Sequence, residues 1–139
     1  MTNEALQRMS DELEIRNLLS KIAQSSDDGE LEEYIEYFTE DARWGGSGFP
    51  ERSGRADIMA GARERRANGV AGPGANSRHV LSTTVVEVDG DTARSRSVFL
   101  FYSNTQAVPA LDLMGIWEDE LRRTPAGWRL ARRTIVRPE

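Results

Sequence analysis

Apolar positions recur at helical spacing in the first part of the chain and at strand spacing in its second half. Ile15, Leu18, Leu19, Ile22 and Ala23 stand at i, i+3, i+4, i+7 and i+8, which predicts an amphipathic helix over residues 11–23, with an extension back through Leu6 and Met9 left open. Asp11 is expected as its N-cap, with Glu14 as the capping-box partner. The helix should end in Ser25-Ser26-Asp27-Asp28-Gly29, where short polar side chains compete with the helical backbone and glycine permits positive φ. Leu31, Tyr34, Ile35 and Phe38 form a second stripe, so a shorter helix is expected from Glu30 to about Thr39-Glu40, capped by Asp28.

Residues 41–44 read as a short strand, the glycine-rich 45–50 as a turn and 51–53 as a brief returning strand. Gly54 then introduces a third helix over 55–67, with Ile58, Met59 and Ala62 facing inward. Residues 69–76 carry three glycines and a proline and are expected as a mobile loop at a pocket mouth. Beyond them the period becomes two. Strands are predicted at 78–88 and 92–102 around the hairpin signal Asp89-Gly90-Asp91, and at 110–122 and 128–136 around Thr124-Pro125-Ala126-Gly127. Helices followed by a meander imply an α+β fold: a curved, mostly antiparallel sheet forming a cone, with three helices on its concave face. Such a cone encloses a pocket.

A length of 139 residues implies one domain spanning 1–139. The chain has no cysteine and one histidine, which removes disulfide and thiolate chemistry and argues against a zinc site; a carboxylate site for a hard cation stays open without any calcium-loop spacing, and no metal or cofactor is expected. The net charge of −5 lacks the basic footprint of a nucleic-acid binder. Arg63-Glu64-Arg65-Arg66 and Arg122-Arg123 read as solvated helix and turn surfaces. The N-terminus is polar and no apolar run approaches the ~20 residues that span a bilayer, so a cytoplasmic protein without membrane contact is expected. Alternation in Val98, Leu100 and Tyr102 gives the uncovered sheet face apolar positions and points to a homodimer or other homo-oligomer.

Candidate chemistry centres on His79, the only histidine, at the start of the clearest strand. Histidine as a residue type is the natural proton-transfer group at neutral pH, although a lone histidine also serves as a structural residue. Trp44, Phe49, Met59, Leu81, Phe101 and Met114 are candidates to line a pocket for a small hydrophobic molecule, or else plain core. Arg132 and Arg133 are adjacent on the last strand, so one of them points inward. An inward arginine, with Arg133 favoured, either binds a leaving group or enolate oxygen or pairs with an acid such as Asp112. Ser77 and Ser82 lack a nucleophile-elbow context.

Several segments in order carry a resemblance that spans nearly the whole chain. They are residues 15–23, Asp27-Asp28-Gly29-Glu30-Leu31, Phe38-Thr39-Glu40-Asp41-Ala42-Arg43-Trp44, Gly54 ahead of Ile58, Arg78-His79 and Gly127-Trp128-Arg129-Leu130. Together they resemble the SnoaL-like branch of the NTF2-like superfamily. That superfamily includes scytalone dehydratase, a lindane dehydrochlorinase, ketosteroid isomerase, limonene epoxide hydrolase, polyketide cyclases, small subunits of ring-hydroxylating dioxygenases and non-catalytic proteins. Fold therefore does not decide function.

In the dehydratase and dehydrochlorinase members a histidine at the start of the first long strand is the base, oriented by an aspartate after the first helix. His79 and Asp27 match those positions. A carboxylate on one ring N–H sets the tautomer and raises the basicity of the other nitrogen. The chain departs from the individual chemistries. It has no second histidine, Lys21 stands one place out of register with the dehydrochlorinase lysine, and its only Arg-x-Asp, Arg55-Ala56-Asp57, begins a helix. Ser25 or Ala23 stands where ketosteroid isomerase has a tyrosine. The resemblance implies a small cofactor-independent lyase or isomerase working through a His–Asp dyad on a hydrophobic cyclic or aromatic metabolite. Its alternative is a non-catalytic ligand-binding protein or oxygenase small subunit.

Overall fold

The computed structural model describes residues 1–138. Three helices, α1 (Asn3–Asp28), α2 (Leu31–Glu36) and α3 (Arg55–Ala67), accompany six strands: β1 (Phe38–Gly46), β2 (Phe49–Ser53), β3 (Arg78–Asp89), β4 (Thr92–Ser103), β5 (Ala110–Thr124) and β6 (Gly127–Val136). The strands form one open sheet in the order β2-β1-β6-β5-β4-β3. Every neighbouring pair is antiparallel except β1 with β6. This is the α+β arrangement that the two periods imply.

The strand expectations lie within one or two residues of β3 to β6, because alternation and tight turns are both local signals. The first helix departs most. It starts at Asn3, with Thr2 Oγ1 accepting the Ala5 N–H at 3.1 Å as the N-cap. Its first turns carry exposed Leu6 and Met9 and show no apolar stripe, which hid them.

Asp11 and Glu14 are mid-helix and cap nothing, contrary to expectation. Asp11 accepts two bonds from Arg123 at 2.8 Å and one from Trp128 Nε1 at 3.1 Å, while Glu14 accepts the Trp128 N–H at 2.7 Å. Bonds from Arg123, Trp128 and Gln7 outweigh burial and hold the Asp11 carboxyl at about 2, below its ordinary 3.8. These contacts fasten α1 to the β5–β6 turn.

The second helix is shorter than its apolar stripe. It ends at Glu36 because Phe38, fully buried, enters β1 opposite Leu130. Asp28 does not cap it. The cap is Glu30, which makes no side-chain bond, and Asp28 instead accepts from Arg78 at 3.0 Å. α1 packs across the sheet against β3 and β6, burying Ile15, Leu19 and Ile22 with Phe38, Leu121, Trp128 and Leu130. Burial of each such side chain contributes on the order of 1.5–3 kcal/mol. At the far end of this layer the last turn of α1 is hydrogen-bonded to the start of β3.

Candidate active site

Asp27 lies in the last turn of α1 and His79 is the second residue of β3, so the site forms where the main helix meets the first long strand. The Asp27 side chain is fully buried, and its two oxygens serve one residue. Oδ2 accepts the His79 backbone N–H at 2.9 Å, and Oδ1 lies 2.6 Å from His79 Nδ1. A carboxylate accepts from Nδ1–H, which leaves Nε2 as the ring's free acceptor. The ring is clamped by Phe101, Trp117 and Phe99 with centroids 4.6, 5.7 and 5.9 Å away. Its side chain remains 19% exposed, which keeps it accessible from the adjoining cavity.

That cavity has a volume of about 160 Å³ and lies between the helices and the sheet. A cavity near 150 Å³ holds a benzene-sized molecule, so roughly one ring with small substituents fits. Its walls are mainly apolar, with Trp44, Phe49 and Phe101 lining it beside His79 and Arg133. Val70 and Ala71 from the glycine-rich loop also line it.

Three expected lining residues are elsewhere. Met59 is buried in the core, and Leu81 packs partly buried against that core. Met114 pairs with Leu100 on the opposite face of the sheet and is 46% exposed, because strand alternation turns its neighbour Leu113 inward.

The walls also include residues that sequence reasoning missed. Phe99 and Trp117 are stacked with centroids 4.9 Å apart, and Phe99 lies over Gly115, where a Cβ would come within 2.5 Å of its ring. Inward parity counted from Phe101 would have found Phe99. Tyr34, a residue of the apolar stripe of α2, lines the cavity. Arg65, expected on a solvated helix surface, lines it too, with its guanidinium carbon 4.6 Å from the Trp44 ring centroid.

Arg133 is the inward member of its pair, and its partner is not the exposed Asp112. It forms two 2.9 Å bonds to Asp119, the residue directly opposite in the β5–β6 register, and stacks 3.7 Å from the Trp117 centroid. Burial pushes the Asp119 carboxyl up, and the bonds from Arg133 oppose that push. Nε and Nη2 are committed to Asp119, which leaves Nη1 for the cavity. Among the described residues no cluster of three acidic or histidine side chains is disposed to hold a metal.

Three helices backing an open six-stranded sheet around an interior cavity are the α+β arrangement of the NTF2-like, cystatin-like fold. The model of the SnoaL-like domain matches residues 7–134, and the chain belongs to that family. It is 32% identical over 130 residues to the uncharacterised protein Rv2910c of Mycobacterium tuberculosis, covering 90% of this chain and 84% of that one. An NTF2-like protein with a cystatin-like fold from Novosphingobium aromaticivorans superposes with a TM-score of 0.80 at 30% identity, covering 95% of this chain and 84% of the other. A proposed aromatic ring hydroxylase from the same organism superposes with a TM-score of 0.74 at 26% identity, covering 94% and 91%. No helix of the described residues is long and apolar enough to cross a membrane.

Proposed function

We propose that the protein is a cofactor-independent lyase or isomerase of the dehydratase kind, acting on a small cyclic or aromatic molecule. The observation that carries this reading is the 2.6 Å contact between Asp27 and His79 Nδ1, with the ring facing an apolar cavity. His79 Nε2 takes a proton from a carbon beside an electron-withdrawing group. The C–H electron pair then forms a C=C bond while the neighbouring C–O bond breaks. The imidazolium returns its proton to the departing hydroxyl, which leaves as water, so the proton count balances at one residue.

Asp27 stabilises the transient imidazolium, and Arg133 Nη1 is available for oxygen charge that builds up on the substrate. The test is a screen of hydroxylated cyclic compounds for elimination, followed by His79→Gln on whichever compound turns over. Loss of kcat by about 10²–10⁴-fold is expected for removal of a general base. Unchanged turnover would reject the assignment.

The likeness to a proposed ring hydroxylase favours a second reading, in which the same cavity binds a ligand without chemistry, as an oxygenase small subunit would. Isolation from its natural host as a free homo-oligomer, with no larger protein attached, would count against the subunit role.

A further inference from the structure

The polar groups of the cavity fall into two poles. Asp27 and His79 form one. The other is built by Arg65, reaching in from the last turn of α3, together with Tyr34 from α2. Among the described residues no carboxylate lies within 4.0 Å of Arg65. The acids of its own helix are already engaged, since Arg52 holds Asp57 at 3.2 Å and Glu64 at 3.0 Å. Gly61, one turn earlier, leaves room for the side chain, because a Cβ there would come 3.3 Å from Arg65 Nη1.

Arg133, the cavity's other cation, is neutralised by Asp119. Among the described residues that line the cavity, Arg65 therefore brings the one positive charge without a carboxylate partner. The indole of Trp44 supplies part of what such a cation loses on leaving water, and a ligand anion would supply the rest. Burial pushes the Tyr34 phenol up while Arg65 and Arg133 pull it down, and the net upward shift keeps it a neutral O–H donor beside the guanidinium.

We infer that the ligand carries a carboxylate, received by Arg65 and the Tyr34 hydroxyl, with its ring held between Trp44, Phe49 and Trp117. This deepens the proposed function and rests on this cavity being the substrate site. A carboxylate is favoured over a phosphate for two reasons. One guanidinium fork matches its two oxygens and single charge, and a cavity of about 160 Å³ leaves little space for a dianion beside a ring. On this view Arg65 is a specificity-determining residue, and His79 alone moves the proton.

Benzoate and benzamide are the probes, since they share a ring and differ in charge, and calorimetry reads their affinities without any turnover. Wild type is expected to bind benzoate at least about tenfold more tightly, the size of one charge-assisted contact. Arg65→Met should bring benzoate down to the benzamide level and leave benzamide unchanged, and Tyr34→Phe should weaken benzoate by a smaller factor. Arg65→Lys, which keeps the charge, should retain part of the preference if the methionine variant fails to fold.

His79→Gln should abolish turnover yet keep the benzoate preference, so the two proposals fail separately. Equal affinities in wild type, equal weakening of both probes by Arg65→Met, or no binding of either probe would overturn the carboxylate site.

Discussion

Two carboxylates on α1, sixteen residues apart, reach into the sheet in similar ways and do different things. Asp11 meets Arg123 and Trp128, Asp27 meets His79, and both are almost fully buried. Around Asp11 the partners are permanent donors, a guanidinium and an indole N–H, so the cluster is saturated and closed. Around Asp27 the partner is an imidazole with a second nitrogen to spare, set against a cavity rather than a turn. The same device is a closed clasp at one end of the helix and, at the other, a pair that leaves one imidazole nitrogen free beside the cavity. The difference lies in whether the strand supplies a group that can change its protonation.

The largest test of that contrast is functional. His79→Gln should remove turnover by about 10²–10⁴-fold, and Asp27→Asn should follow it, because the ring loses the acceptor that sets its tautomer. Neither change should move the melting temperature as far as it moves kcat. A variant that lost stability and kept activity would make the Asp27 end a second clasp.

Gly115→Ala should cost about 1–3 kcal/mol, since its Cβ would press on Phe99, whose ring is already stacked on Trp117. Denaturant unfolding would measure this, with weaker ligand binding as the accompanying sign. Asp11→Asn should cost about 2 kcal/mol with kcat unchanged, as Arg123 remains partly solvated.

The Asp11 carboxyl is held at about 2, below its ordinary 3.8. A depressed folded-state pKa contributes stability that is present above the unfolded value and is lost as pH falls through the folded one. Melting temperature should therefore drop between about pH 4 and pH 2, and Asp11→Asn should flatten that drop. The smallest effect expected is at Glu12→Gln. It removes an exposed i,i+4 pair with Arg16, and thermal melts should show less than about 0.5 kcal/mol.

Much of this was readable from residue order. Periodicity located the three helices and the four long strands, turn signals placed the two short ones while assigning residues 38–40 to a helix, and the lone histidine marked where proton chemistry is possible. The pairing of His79 with Asp27 required the family resemblance, because 52 residues separate them and no local rule joins them. Chemical type leaves six apolar residues as lining or plain core; Trp44, Phe49 and Phe101 border the cavity, while Met59, Leu81 and Met114 do not. The identity of an apolar residue does not say which face of a strand it occupies.

Residue order carries local information: the period of each segment, the turns, and the scarcity of titratable groups near neutrality. Those signals act within a few residues, where backbone sterics and side-chain alternation operate. Which long polar side chains meet is set by how helix and sheet dock. Asp11 reaches Arg123, Glu14 reaches the backbone of Trp128, Arg133 takes Asp119 in place of Asp112, and Arg65 turns from solvent to the cavity. Arginine and carboxylate side chains have many rotamers and several acceptable partners, and a buried charge takes the one that sheet register and helix docking bring within hydrogen-bond reach.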